Sequence, residues 1–110
     1  MSFDNYLKLL VIADKDASIT AVTVTPVPTK FTLQLTEGYN RKLITAYNNS
    51  NSASGECYYG FSASISEGSG SQPIPKGAMV DIPVADCDAI DLYFVAASGE
   101  IGDLRVSEYA

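Results

Sequence analysis

The 110-residue chain has no histidine, no tryptophan and only two cysteines. Each shortage removes a class of chemistry. Without histidine there is no Ser-His-Asp or Cys-His catalytic arrangement and no imidazole-ligated zinc or iron. Cys57 and Cys87 alone cannot close a structural zinc site within one chain. Positive charge is scarce too. Seven Lys and Arg against thirteen Asp and Glu give a net charge of -6, which repels phosphate backbones and anionic lipid, so neither nucleic acid nor a membrane is an expected partner. No apolar run is long enough to span a bilayer as a helix. The run at 9–13 has no basic segment before it and is bracketed by Asp4, Asp14 and Asp16, unlike a secretory signal, so synthesis in the cytoplasm is expected. The cysteine positions leave pairing open. The missing signal favours free thiols that pack as small hydrophobes.

Motifs for phosphate and nucleophile chemistry are missing as well. There is no P-loop, no G-x-G-x-x-G and no G-x-S-x-G, and no Lys-Ser or Lys-Thr pair follows the Gly68-Ser69-Gly70-Ser71 turn to meet a phosphate and its metal. Asp81, Asp86, Asp88 and Asp91 cluster around one connection and supply oxygen ligands of the kind calcium takes. The EF-hand register fails there. Counted from Asp86, the sixth position is Asp91 where glycine is needed and the twelfth is Ala97 where glutamate is needed, and counted from Asp14 the sixth is Ile19. Solvated turn carboxylates are the simpler reading. No cofactor, no metal and no enzymatic activity are expected.

What the sequence does contain is alternation. Phe31, Leu33 and Leu35 alternate with Thr32, Gln34 and Thr36, Val80, Ile82 and Val84 alternate with Asp81 and Pro83, and 19–25 reads ITAVTVT, rich in β-branched residues. A period of two marks half-buried strands. Gly, Pro, Asn and Asp fall between the runs at 14–16, 26–28, 37–38, 48–55, 67–77, 86–88 and 98–102, where the chain must reverse. The expected strands are 6–13, 19–25, 30–35, 41–47, 57–62, 78–84, 90–96 and 104–109. They make a single all-β domain over 1–110, a two-sheet antiparallel β-sandwich or jelly-roll-like fold of about eight strands, with 1–6 as a candidate arm. The aromatic knot Cys57-Tyr58-Tyr59-Gly60-Phe61 then becomes a strand with Cys57, Tyr59 and Phe61 facing the core and Tyr58 facing out. The expected core is Phe31, Leu33, Leu35, Tyr59, Phe61, Val80, Ile82, Leu92, Phe94, Leu104 and Val106.

One series of segments carries a family pattern: Arg41-Lys42-Leu43-Ile44, Asn48-Asn49-Ser50, Tyr58-Tyr59-Gly60, Gln72-Pro73-Ile74-Pro75-Lys76-Gly77, the run 90–97, and Asp103-Leu104-Arg105-Val106-Ser107-Glu108. Over about 41–110 this resembles small β-sandwich proteins of tailed-bacteriophage virions, whereas 1–40 carries no such pattern. The pattern consists of strand and turn residues, so it speaks to fold more than task. The resemblance implies a virion location and a role as capsid decoration or cement protein, or as a head-fibre or tail module. With its own initiator Met, the chain is expected as a stand-alone virion protein that contacts the major capsid protein or other virion proteins. It is expected to work as a homo-oligomer, a trimer among the candidates. Phe3 and Tyr6 are candidate anchors of an N-terminal arm. Tyr39, Tyr47 and Tyr58, with neighbouring Asn and Ser, are candidates for the rival reading, a host-surface glycan, which flat aromatic faces and small hydrogen bonders suit.

Overall fold

The computed structural model describes residues 17–32, 43–50, 55–82 and 90–109. The described segments are extended wherever apolar side chains alternate. In chain order they form β1 (Ala17–Val24), β2 (Thr29–Lys30), β3 (Leu43–Asn48), β4 (Cys57–Gly60), β5 (Gln72–Ile74), β6 (Met79–Ile82), β7 (Tyr93–Ala96) and β8 (Gly102–Tyr109). Two four-stranded sheets result, ordered β1-β8-β3-β6 and β2-β7-β4-β5, with every pairing antiparallel. One rule generates both orders: β1 pairs with β8, β2 with β7, β3 with β6 and β4 with β5. The chain is a ribbon nested about its midpoint and rolled into two sheets, the jelly-roll arrangement of an all-β sandwich.

The core lies between the sheets. From the first come Val24, Ile44, Ala46, Ile82, Leu104 and Val106; from the second and its flanks come Phe31, Cys57, Ile74, Leu92, Phe94 and Ala96. β8 shows the alternation most clearly, with Gly102, Leu104, Val106 and Glu108 buried and the residues between them half-exposed. Phe31 and Phe94 meet edge to face, centroids 5.9 Å apart, the geometry that aligns the positive edge of one ring with the negative face of the other. Tyr59 and Val80 are partly buried and pack against this cluster.

Three expectations need correction. β4 ends at Gly60, so Phe61 lies beyond the strand, where the alternation no longer governs its direction, and is 52% exposed. The stretch 67–77, read as one long turn, contains β5; its Pro73 is tolerated because β5 is an edge strand. Asn48, assigned to a turn, is the last residue of β3 and is completely buried. Strand 30–35 appears among the described residues only as β2 and one further ladder bond, from the Phe31 amide to the Leu92 carbonyl at 2.8 Å. Strand 6–13, Leu33 and Leu35 lie outside the described residues.

Asn48 explains how one end of the sandwich is tied. The crossings β1–β2, β3–β4, β5–β6 and β7–β8 all pass between the sheets at that end. The Asn48 amide Nδ2 donates to the Gly55 carbonyl at 2.9 Å and to the Ile74 carbonyl at 2.8 Å, while Oδ1 accepts from the Ser50 amide at 3.1 Å. Its backbone holds the β5–β6 crossing, with the Gly77 amide donating to its carbonyl at 2.9 Å and its own amide donating to the Ala78 carbonyl at 3.0 Å. Glu100, from the β7–β8 crossing, accepts from the Gly55 amide at 2.6 Å. Ser50 Oγ accepts from the Asp103 amide at 2.9 Å. One buried side chain thus satisfies backbone groups of a loop and of the facing sheet, which would otherwise be stranded away from water.

Beside this knot, Cys57 is a free, buried thiol. Burial, with the Glu100 and Asp103 carboxylates nearby, pushes it up to about 11, so the thiol stays protonated at neutral pH and acts as packing. Cys87 lies outside the described residues. The sulfur occupies the space that a side chain at Gly102 would need, because a Cβ there would stand 2.0 Å from Cys57 Sγ. Gly102→Ala is expected to cost about 1–3 kcal/mol through overpacking. Cys57→Ala in the same chain removes the clashing atom. Chemical denaturation of both single variants and the double should therefore give a double variant clearly more stable than the sum of the single losses predicts. Simple additivity would show that Gly102 is constrained by something other than the sulfur.

Candidate functional site

The two outer faces of the sandwich are built differently. On the first sheet the ladder aligns Ala21, Arg105, Tyr47 and Met79 in one row across all four strands. The adjacent row is Ile19, Ser107, Thr45 and Asp81. Parity alone sets this direction. Ile44, Ala46 and Asn48 of β3 point into the core, so Tyr47 points out, and the same holds for Met79 beside Val80. Ile19 is 73% exposed, Met79 60% and Tyr47 38%. Arg105 pairs with Asp103 two residues before it, and Asp103 also accepts from Asn49 Nδ2 at 3.1 Å. The result is an outer face on which Ile19, Met79 and Tyr47 are exposed, Arg105 stands between Ala21 and Tyr47, and Thr45 is buried. Tyr, Met and Arg are the residue types that protein interfaces favour over ordinary surface.

The second sheet is partly roofed. The loop after β4 doubles back at Ser66 and Ser69, whose amides and carbonyls exchange hydrogen bonds at 3.0 and 3.2 Å. Ile65 is buried in this roof, and the chain passes close enough that a Cβ on Gly60 would lie 2.6 Å from Ile65 Cγ2 and 2.7 Å from the Gly70 carbonyl. Ser98 donates its amide to Glu67 at 3.3 Å and fastens the loop to the next crossing. Beside the roof Tyr59, Gly60, Phe61, Gly70, Ser71 and Gln72 line a shallow groove of about 390 Å³, and Phe61 meets Tyr59 edge to face at 6.1 Å. A second groove of about 230 Å³ runs past Tyr58, Pro73 and Glu56. The Tyr58 hydroxyl donates to Glu56 at 3.3 Å. Partial burial, then the Glu56 carboxylate, push its phenol above the usual tyrosine range.

The candidate residues therefore separate. Tyr47 lies on the outer face of the first sheet and Tyr58 on that of the second, so no single ligand of sugar size touches both. Phe3, Tyr6 and Tyr39 lie outside the described residues. Ile19, Met79, Arg105 and Phe61 were not among the candidates. The first three carried a signal, since each sits at an outward position of an alternating run. Among the described residues no three carboxylate or thiol side chains come together to hold a metal. Asp91, one of the clustered carboxylates, instead pairs with Lys30 at 3.1 Å in an exposed bridge, worth little by itself. Asp86 and Asp88 are outside the described residues.

In fold, the protein is an all-β, two-sheet antiparallel sandwich whose described residues offer an outer face with exposed apolar side chains on one sheet and shallow grooves on the other. Comparison with protein-family models, curated proteins and solved structures finds no significant match to the chain.

Proposed function

We propose that the protein is a non-catalytic structural component of a tailed-phage virion, a decoration or cement protein that binds the assembled head and stabilises it. The observation that carries this reading is the outer sheet face on which Ile19, Tyr47 and Met79 are exposed beside Arg105 of the central strand β8. A flat sheet face offers area for another protein surface rather than a cleft for a small substrate. The virion assignment comes from the segments at 41–110 and their resemblance to small phage β-sandwiches. Jelly rolls serve as coat and as lectin domains alike, so the fold does not choose between these tasks.

The rival reading is binding of a host-surface glycan. It is favoured by Phe61, an exposed aromatic ring beside a groove edged by Ser71 and Gln72, the mix of flat apolar face and hydrogen bonders that sugars need.

Particles made without the protein separate the two. A ligand that binds only the assembled shell stabilises it by roughly RT ln(1 + [L]/Kd), about 2.7 kcal/mol per site at a hundredfold excess over Kd. Depleted particles should assemble yet release their genome at lower temperature. Adding back the purified protein should restore heat resistance, and so should a Phe61→Ala variant, whereas a Tyr47→Ala/Met79→Ala variant should not. Full heat resistance with failed adsorption to host cells would replace the cement reading by the glycan one. Normal heat resistance and normal adsorption would reject both.

A further inference from the structure

The outer surface of the second sheet carries a compact array where β4 meets β5. The two strands pair with Cys57 opposite Ile74 and Tyr58 opposite Pro73. Because Cys57 and Ile74 are buried in the core, strand parity turns Tyr58 and Pro73 outward as cross-strand neighbours. Glu56 and Pro75, each two residues along its own chain segment, line the same groove of about 230 Å³. Tyr58 donates its hydroxyl to Glu56 Oε2 at 3.3 Å, which holds the ring alongside the carboxylate. The prolines add flat apolar rings without amide hydrogens. Glu56, Pro73 and Pro75 are exposed and Tyr58 is half-exposed.

We propose that this groove docks an arginine side chain presented by a partner protein. A guanidinium is planar, stacks on an aromatic face and turns its N–H groups to a carboxylate in the same plane. Tyr58 and Glu56 supply that pair. Lysine fits less well, since its compact ammonium meets a carboxylate but has no plane to lay on the ring. Charge complementarity supports a cationic guest. Among the described residues no Lys or Arg lines the groove, while Lys30 is paired with Asp91 and Arg105 with Asp103. The Glu67 and Glu100 carboxylates lie close enough to act on the Tyr58 phenol together with Glu56, and the whole chain carries a net charge of -6. The local field therefore draws a cation. A shallow groove on an open sheet surface takes the end of a side chain held by a larger body, whereas a free small molecule needs a pocket that encloses it.

The proposal goes beyond the virion reading and does not depend on it, since the test uses the full chain in solution without particles. The probe is the peptide acetyl-Gly-Arg-Gly-amide, titrated to millimolar concentration while the backbone amide resonances are followed by NMR. The amides of Glu56 and Tyr58 should shift, and that of Tyr47 on the opposite face should not. The same peptide with citrulline, which keeps the planar shape without the charge, should bind about tenfold more weakly or worse. Glu56→Gln should weaken the arginine peptide to a similar degree, and Tyr58→Leu should weaken it too, both with the β-type circular dichroism intact. Added salt should loosen the wild-type complex, because the ion pair is exposed. No shift at Glu56 and Tyr58, equal binding of the arginine and citrulline peptides, or full binding by the Glu56→Gln variant would overturn the proposal. So would a lysine peptide that binds as tightly as the arginine one, which would reduce the groove to a diffuse negative surface.

Discussion

Asn48→Ala is expected to lower the unfolding free energy by about 4 kcal/mol, measured by chemical denaturation, because the substitution strands two buried backbone carbonyls and one part-buried amide at about 1–3 kcal/mol each, less whatever water recovers. The groups are the carbonyls of Gly55 and Ile74 and the amide of Ser50. Asn48→Asp should be worse, although it changes the shape less. A carboxylate has no hydrogen to donate, and it would face two carbonyl oxygens at a position with 0% exposure. With total stabilities of roughly 5–15 kcal/mol for small domains, the aspartate variant should be largely unfolded at room temperature. Asn49→Ala is the control. Its side chain makes an exposed bond to Asp103 and should contribute less than about 1 kcal/mol. If Asn48→Ala behaves like Asn49→Ala, the crossings are held by their own packing and not by the amide.

The second large effect is expected at Phe94. Its side chain is 1% exposed and lies against Phe31, so Phe94→Ala should cost about 3–5 kcal/mol through lost burial and the cavity left behind. Phe61→Ala provides the contrast within the same protein. At 52% exposure its truncation should cost well under about 1 kcal/mol. The pair tests the turn of the chain after Gly60 directly. Equal losses would mean that Phe61 is packed, as unbroken alternation from Cys57 would have required.

Much of the fold was legible along the chain. Alternation located β1, β3, β4, β6 and β8 to within a few residues, and it marked Ile82, Leu104 and Val106 as core, while the apolar run at 90–96 marked Phe94. β7 starts three residues later than its apolar run, because a continuous apolar stretch has no period to fix its beginning. β5 was hidden for the opposite reason. Gln72-Pro73-Ile74 reads as a break, and only the neighbouring β4, whose Cys57, Tyr58 and Tyr59 pair with Ile74, Pro73 and Gln72, makes it a strand.

The candidate surface was less legible, since exposure depends on what lies across a sheet. Tyr47 and Tyr58 both stood out as outward aromatics, yet sequence spacing says nothing of which sheet each strand joins, and the roll of the ribbon sends them to opposite faces. The row Ala21, Arg105, Tyr47 and Met79 gathers residues from four strands far apart in the chain.

The absence of histidine, the net charge of -6 and the period of two belong to the sequence by itself. They remove histidine-based chemistry, disfavour anionic partners and require half-buried strands, because side-chain chemistry and strand parity are local properties. Which strands neighbour one another and the burial of Asn48 were decided only by the tertiary structure. Each depends on pairing between distant segments, and that pairing follows from burying both apolar faces against each other while every buried backbone group still finds a partner.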